Sequence, residues 1–262
     1  MRALATAATG MMAQELNVQV ISNNIANMRT TGYKRQSAEF QDLLYEHVRR
    51  IGTQTSTQGN ILPVGIDLGG GVKTVGTPRL MTQGTLAPTG ATLDVAVRGE
   101  GFFKILMPDG TYTYTRDGSF QMDAQGRIVT AAGNVVQPGI NIPTNAQSIT
   151  INAQGQVSAI LPGSSSPSVL GQLVLTRFVN KAGLQAIGDN LFVETPASGT
   201  PQDGTPNVDG YGDLQQGNLE QANVEAVTEI TNLIAAQRAY EMNGKVITAA
   251  DQMLQSTSQL MR

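Results

Sequence analysis

The sequence predicts an α+β protein in which long N- and C-terminal helices pair as a coiled coil. Between them it predicts a β-rich central domain of short antiparallel strands and an extended arm. Both ends of the chain repeat an apolar residue every seven positions, the spacing of helices that face a partner. Gly and Pro crowd residues 52–212, whereas residues 224–262 contain no Pro and only Gly244. This contrast favours strands and turns in the middle and helices at the ends.

Four segments follow from these patterns. Residues 1–32 are predicted to form the N-terminal helix, and residues 33–92 a short helix followed by an extended arm or linker. Residues 93–212 are predicted to form the β-rich outer domain, and residues 213–262 the C-terminal helix.

The N-terminal helix is expected to cover about residues 3–28 and to end near Gly32, which can adopt the left-handed cap conformation. Its apolar row comprises Leu4, Met11, Val18 and Ile25, and Ile21 belongs to a second row three residues behind the first. Asn23, Asn24 and Asn27 are poor helix formers. Their amides suit either hydrogen bonds to neighbours or a polar face toward solvent, and periodicity leaves both open.

The C-terminal helix is expected to begin near Asn223, a favourable N-cap, with Glu225 in its first turn. It can continue to residue 260, a length of about 55 Å at 1.5 Å per residue. The seven-residue row at this end of the chain comprises Leu219, Ala226, Leu233, Tyr240, Ile247, Leu254 and Met261.

The middle of the chain divides into an apolar stretch, a polar stretch and a series of turns. Residues 37–48 repeat apolar side chains at helical spacing and predict the short helix. Residues 51–63 are rich in Gly, Thr, Ser and Gln, which suits either a flexible linker or, as residues 49–63, an arm that becomes ordered against another molecule. Turn residues recur regularly in residues 93–143 and predict hairpins, and the turn at residues 123–128 is echoed at residues 152–157.

Composition argues against several classes of function. Charged residues make up 14% of the chain and the net charge is -3, so nucleic-acid binding is disfavoured. There is no cysteine, which excludes a thiol nucleophile, and His47 is the only histidine, which excludes a three-histidine zinc site. We expect no catalytic residue, no metal and no cofactor. The first 20 residues lack a continuous apolar run, which predicts no cleaved signal peptide and no membrane span.

Three parts of the chain carry motifs that resemble those of a known family. The N-terminal motifs are ISNNIAN at 21–27 and TTGYK at 30–34. The C-terminal motifs are ANVE at 222–225, LIAAQRAYE at 233–241, KVI at 245–247 and DQML at 251–254. The motifs in the middle are LDVAV at 93–97, GEGFF at 99–103 and YTRDGSF at 114–120. The terminal motifs resemble the signatures shared by bacterial flagellar rod and hook proteins, and those in the middle are similar to the same family. The total length and the polar arm at 49–63 resemble the distal rod members, with proximal rod or hook-type axial subunits as the alternative.

The resemblance implies a structural subunit of the flagellar basal body that polymerises helically with itself. Such a polymer is a hollow drive shaft, which transmits motor torque to the hook and lets exported subunits pass. Implied partners are proximal rod proteins, the hook protein, the surrounding P- and L-ring proteins and the flagellar type III export apparatus. The implied location is the rod, which spans the periplasm to the outer membrane and is reached without a cleaved signal peptide.

The candidate site is therefore a self-assembly surface on the terminal segments. Apolar residues of the two helices are expected to pack within and between subunits, and the asparagine amides to fix the register. The candidate residues are Leu4, Met11, Val18, Ile21, Asn23, Asn24, Ile25, Asn27, Gly32, Tyr33, Leu233, Gln237, Arg238, Tyr240, Ile247 and Leu254. The arm is expected to lie against neighbouring subunits and to stiffen the tube. The rival hypothesis is a soluble coiled-coil binding module, whose terminal helices would already be folded against partners in the free protein.

Overall fold

The computed structural model describes residues 2–50, 64–163 and 166–260, without the side chain of Leu260. Its two α-helices are α1 (Arg2–Ala26) and α2 (Ala226–Leu260). The first strands are β1 (Glu39–Asp42), β2 (Tyr45–Arg49), β3 (Ile66–Gly69), β4 (Val72–Gly76), β5 (Leu86–Pro88), β6 (Val95–Arg98), β7 (Phe102–Leu106), β8 (Tyr112–Thr115), β9 (Gln121–Met122) and β10 (Ile128–Val129). They are followed by β11 (Val135–Val136), β12 (Ser148–Ile151), β13 (Gln156–Ile160), β14 (Ser168–Gln172), β15 (Leu175–Arg177), a 3-10 turn (Lys181–Gly183), β16 (Gln185–Gly188), β17 (Leu191–Val193), β18 (Gln202–Gly204), β19 (Asp213–Gln216) and β20 (Asn218–Glu220). The described residues thus have helices at both ends and antiparallel strands between them, as predicted.

Contacts divide the chain into two compact units. The helical unit comprises Met1–Ile25, Gln36–Pro78 and Glu225–Arg262, and contains both helices with strands β1 to β4. The β-rich unit comprises Ala26–Arg35 and Arg79–Val224, and contains the remaining strands. The division of the chain into four segments with separate roles remains a prediction.

The β-rich unit is built on one large antiparallel sheet. Its strands run in the order β16-β17-β8-β7-β11-β10-β9, and β15 pairs with both β7 and β18. A three-stranded sheet, β12-β13-β14, and the pairs β19-β6 and β20-β5 complete the unit. Strand β7 is buried on both faces: Phe103 and Ile105 join the larger apolar cluster, and Phe102 joins a smaller aromatic cluster with Tyr114. Because successive side chains of a strand point to opposite faces, β7 contributes residues to both apolar clusters.

The predicted echo between two turns is confirmed in detail. In the first turn, the Asp123 carboxylate accepts hydrogen bonds from the backbone amides of Gln125 and Arg127. In the second, Asn152 Oδ1 accepts them from the amides of Gln154 and Gln156. Both turns also contain a glycine of positive φ, Gly126 or Gly155, at the position where an ordinary side chain is strained.

The short helix predicted at 37–48 is wrong, because this stretch forms strands β1 and β2. Strand β1 pairs with β4 and strand β2 pairs with β3. The spacing of Phe40, Leu43 and Leu44 fits a helix, but residues 66–76 return alongside and supply a ladder of backbone hydrogen bonds. Long-range pairing thus overrides the local periodicity.

Both predicted helices are present, but the last residue of α1 and the first residue of α2 differ from the prediction. Helix α1 ends at Ala26, and Gly32, with φ of +67°, donates its amide to the carbonyl of Glu220 instead of closing the helix. Helix α2 begins at Ala226, three residues after the predicted N-cap. The Asn223 carboxamide is used elsewhere: it accepts a hydrogen bond from the Arg35 amide and donates to the Leu80 carbonyl. A competing partner within the β-rich unit therefore displaces each predicted cap.

Alkaline unfolding tests the burial of Tyr114 in the aromatic cluster. Burial raises the pKa of Tyr114 to about 12, helped by the charges of Glu194 and Asp203. A raised pKa means that the unfolded chain ionises first, so this stabilisation is complete below pH 10 and is lost between pH 10 and about 12. Relative to Tyr114→Phe, the free energy of unfolding should fall by about 1.4 kcal/mol per pH unit in that window. Denaturant titrations from pH 8 to 12 measure it, and parallel pH profiles would contradict the assignment.

Candidate self-assembly interface

The two helices of the helical unit approach each other in antiparallel directions. Near one end, Asn24 Nδ2 donates to Glu229 Oε2 over 3.2 Å. Near the other, a Cβ added to Gly10 would lie 2.9 Å from Asn243 Nδ2. Residues 10 and 24 are 14 apart, as are residues 229 and 243, so both contacts fit one register, about 21 Å apart along each helix.

The buried positions of the two helices include several small or polar residues. On α1, the buried residues are Ala7, Ala13, Val20, Ile21 and Asn24. On α2, Glu229, Ala236 and Ala250 are buried, and Asn243 is half-buried. These four positions of α2 recur every seven residues, but three positions after the predicted row of Ala226, Leu233, Tyr240 and Ile247. The buried positions of α2 therefore follow the predicted seven-residue period with a different phase.

The predicted self-assembly residues fall into four groups. Ile21 and Asn24 are buried inside the helical unit. The half-buried group comprises Leu4, Met11, Val18, Ile25, Asn27, Leu233 and Ile247. The exposed group comprises Asn23, Gln237, Arg238, Tyr240 and Leu254. Gly32 and Tyr33 are buried inside the β-rich unit.

A second apolar surface on α2 was missed by the sequence reasoning. Its exposed members are Val227, Ile230, Ile234, Met242, Val246 and Met253. Val227 is 73% exposed and Met253 64% exposed. Their spacing of three, four, eight, four and seven residues places them on one helical face. The pattern was present in the sequence, but the seven-residue row was a stronger signal and was used instead. Residues 251–259 of α2 are exposed throughout.

Asn24 has a defined role within the chain. Its Nδ2 donates to the carbonyl of Gln36 over 2.8 Å, and its Oδ1 accepts from the amide of Gln36 over 2.9 Å. The same Nδ2 reaches Glu229 on α2. One buried carboxamide thus holds α1, the returning chain and α2 together, which explains an asparagine on the buried side of a helix.

The helical unit also contains a groove of about 640 Å³ beside the start of α1. Its lining combines small α1 side chains such as Ala3 and Ala7 with Leu44 and Leu68 of the strand pair and Val246 of α2. Arg2 and Glu46 form an exposed ion pair of 2.7 Å at its edge. The groove is mainly apolar and presents no convergent set of reactive groups.

Other chemistry is sparse in the described part of the chain. His47 Nδ1 lies 2.6 Å from Asp67 Oδ1 on the exposed β2-β3 pair. Within residues 2–50, 64–163 and 166–260, no three His, Cys, Asp or Glu residues are grouped to hold a metal ion. Over the same ranges, neither helix is long and apolar enough to cross a membrane.

The contrast between a buried and an exposed position of α1 tests the role of Asn24. Asn24→Ala removes both bonds to Gln36 and should destabilise the helical unit by about 1–3 kcal/mol. The exposed Gln19→Ala is the control, with an expected change of about 0.5 kcal/mol or less. Denaturation followed by helical circular dichroism, with amide exchange at Gln36, measures both. Equal effects of the two substitutions would contradict this role.

Known proteins match the sequence of this chain along nearly its whole length. The model for the flagella basal body rod protein matches residues 4–34, that for the flagellar hook protein FlgE/F/G D1 domain residues 96–159, and that for the flagellar basal body rod FlgEFG protein C-terminal residues 215–260. The chain is 56% identical over 260 residues to the flagellar basal-body rod protein FlgG of Caulobacter vibrioides, which covers 99% of both chains. It is 52% identical over 253 residues to FlgG of Agrobacterium fabrum, covering 97% of both, and 48% identical over 252 residues to FlgG of Buchnera aphidicola subsp. Acyrthosiphon pisum, covering 96% of both. The chain therefore belongs to the FlgG family of flagellar basal-body rod proteins.

Proposed function

We propose that this chain is a structural subunit of the flagellar distal rod, which polymerises helically with copies of itself into a hollow drive shaft. The shaft carries motor torque to the hook and lets exported subunits pass. Family membership over nearly the whole chain supports the rod assignment. The single observation that carries the assembly mechanism is the exposed apolar face of α2, exemplified by Val227 and Met253.

Apolar side chains of α2 remain exposed in the single chain, so their burial requires contacts with other protein molecules. One side of α2 packs small or polar residues toward α1, and the other carries Val227, Ile230 and Ile234 into solvent. A helix that is apolar on several sides is normally buried on all of them. Covering these side chains by neighbouring copies would stabilise the polymer, at roughly 25 cal/mol for each Å² of apolar surface removed from water.

The predicted row on α2 comprises Leu233, Tyr240, Ile247 and Leu254, and it includes both half-buried and exposed residues. Leu233 and Ile247 are half-buried, whereas Tyr240 is 46% and Leu254 45% exposed. In the polymer this row packs within one chain at its inner members and against neighbours at Tyr240 and Leu254. Contacts between different patches of the same chain produce an open helical filament when the rotation does not close a ring.

The arm at 49–63 is proposed to lie against neighbouring subunits and stiffen the shaft. Residues 51–63 lie outside the described residues. The ribbon of β2 and β3 that leads into the arm supports the proposal, because Leu44 is 91% exposed and Val48, Val64 and Ile66 are also exposed. An isolated two-stranded ribbon is marginally stable in water, and its apolar side chains need a cover.

The remaining parts of the proposal follow from the family. The partners are proximal rod proteins at one end, the hook protein at the other, and the P- and L-rings around the shaft. The chain passes through the flagellar export apparatus and functions between the periplasm and the outer membrane. The role is mechanical, and the terminal helices pair as a coiled coil at the core of the tube.

A matched pair of substitutions at the end of α2 tests the assembly surface. Leu254→Glu places a charge on an apolar position of the predicted row, and Gln255→Glu places the same charge on the adjacent exposed polar position. Leu254→Glu should abolish rods and motility in cells that lack their own copy, because burial of an unpaired carboxylate is costly. Gln255→Glu should retain at least half of the swimming rate. Basal bodies are counted by electron microscopy.

The control for that experiment is folding of the β-rich unit. Both variants should retain the near-ultraviolet circular dichroism and melting temperature of the parent chain, since position 254 lies in the helical unit. Normal rods from Leu254→Glu, or equal loss from both variants, would contradict the proposed surface.

Removal of the arm tests its role in stiffness. A chain in which residues 51–62 are replaced by Gly-Ser should still assemble, since the helices and both units are retained. Its rods should be curved or variable in bending when isolated basal bodies are imaged, because the arm no longer bridges neighbours. Replacement of residues 163–165, a second polar segment of the sequence, by the same linker is the control. Straight rods from the arm variant would overturn the stiffening role.

A further inference from the structure

Three charged side chains meet inside the β-rich unit, and none of them is explained by self-assembly. Lys34 Nζ donates to Glu220 Oε1 over 2.5 Å and to the Thr82 carbonyl over 2.8 Å. Arg116 Nη1 lies 3.7 Å from Glu220 Oε2. The side chains of Lys34 and Glu220 are fully buried and that of Arg116 is 4% exposed. We call these three residues the charge cluster.

Burial makes the charge cluster sensitive to the loss of any member. Burial lowers the pKa of Lys34, and the nearby Glu220 charge opposes this shift. Burial likewise lowers the pKa of Arg116, with Glu220 again acting in the opposite direction. Glu220 is the carboxylate that contacts both buried cations, and the charge of Glu100 acts on both in the same direction. Removal of one partner from such a group leaves an uncompensated charge in a poorly hydrated site, which is strongly unfavourable.

The cluster fixes the chain that follows α1 in sequence. We call residues 30–35 the strap. The Gly32 amide donates to the Glu220 carbonyl over 2.7 Å, and a Cβ at Gly32 would lie only 2.8 Å from the Asp117 nitrogen. Asn190 Nδ2 donates to the Thr31 carbonyl over 2.9 Å. The strap therefore lies directly against the residues after β8 and against β20.

The cluster also fixes the chain that precedes α2 in sequence. Glu220 is the last residue of β20, and its Oε1 accepts a further hydrogen bond from the Gly84 amide over 2.9 Å. Three residues later, Asn223 Oδ1 accepts from the Arg35 amide over 2.7 Å. The two linkers that lead to the helices are thus bonded to each other as well as to the β-rich unit.

Each of the three family matches contributes one member of the cluster. The match at 4–34 ends on Lys34, the match at 96–159 contains Arg116, and the match at 215–260 contains Glu220. Three segments far apart in sequence therefore meet at one ionic contact. This gives the TTGYK and YTRDGSF motifs a role inside the chain, separate from contacts between copies.

We propose that the charge cluster is a clamp that joins the strap and β20 into one anchorage on the β-rich unit. Force applied at either terminal helix then enters the β-rich unit through both linkers together. Without the clamp, tension between the chain ends would reach residues 35–219 and peel the sheet strand by strand. With it, tension passes directly from residue 34 to residue 220. The clamp is a property of the single chain, and only its use under torque rests on the proposed function.

Pulling a single full-length chain by its two ends with optical tweezers tests the clamp directly. Lys34→Met keeps an unbranched stem and removes the ammonium group, and its rupture force for the β-rich unit should fall to about half of the parent value or lower. Asp213→Asn is the control, because it weakens the surface pair with Arg98, in which the Arg98 side chain is 60% exposed. Its rupture force should stay within a tenth of the parent value. Equal rupture forces in Lys34→Met and the parent would overturn the clamp.

Amide exchange on the unmodified chain gives a second readout that needs no variant to fold. The clamp predicts that the Gly32 amide exchanges as slowly as the Ile105 amide of β7, within a factor of ten, because the strap opens only with the sheet. Exchange at Gly32 more than a hundred times faster than at Ile105 would mean that the strap frays on its own, and would overturn the clamp. Both measurements use unassembled chains, so their failure leaves the rod proposal intact, and failure of the Leu254→Glu test leaves the clamp intact.

Discussion

The contacts that join α1 to α2 are the constraint on which the helical unit depends. Gly10 lies against Asn243, and the Asn24 carboxamide donates to Glu229. Large apolar side chains of α2 such as Val227 and Ile230 are meanwhile exposed. A subunit with such a surface is incompletely buried alone, and the proposed assembly would remove that surface from water.

Buried polar groups specify the connections between elements in both units. In the helical unit, the Asn24 carboxamide bonds the backbone of Gln36 through both of its ends. In the β-rich unit, Lys34 and Glu220 join segments 186 positions apart. Polar groups of this kind tolerate few alternative arrangements, since an unsatisfied buried donor or charge is costly. They determine where the two linkers begin and end, whereas the apolar clusters supply most of the burial.

Local signals in the sequence predicted the elements better than the contacts between them. The apolar period predicted both helices, and Asp123 and Asn152 predicted two identical turns, because these features depend on residues close in sequence. The strand at 39–42 was predicted as helix because its partner, residues 72–76, lies 30 or more positions away. The phase of the helix seam was also missed, because alanine and asparagine at the inner positions carry a weaker signal than leucine on the flank. Nothing in the spacing of Lys34, Arg116 and Glu220 indicates that they meet.

The central claim is that neighbouring copies cover the outer face of α2. The chain contains no cysteine, so Met253→Cys introduces a single thiol on that face. Its reaction with a bulky maleimide can be compared in free subunits and in rods of isolated basal bodies, with unfolded chain as the reference. The account predicts near-complete labelling of free subunits and at least tenfold slower labelling in rods. Equal labelling rates in both states would contradict it.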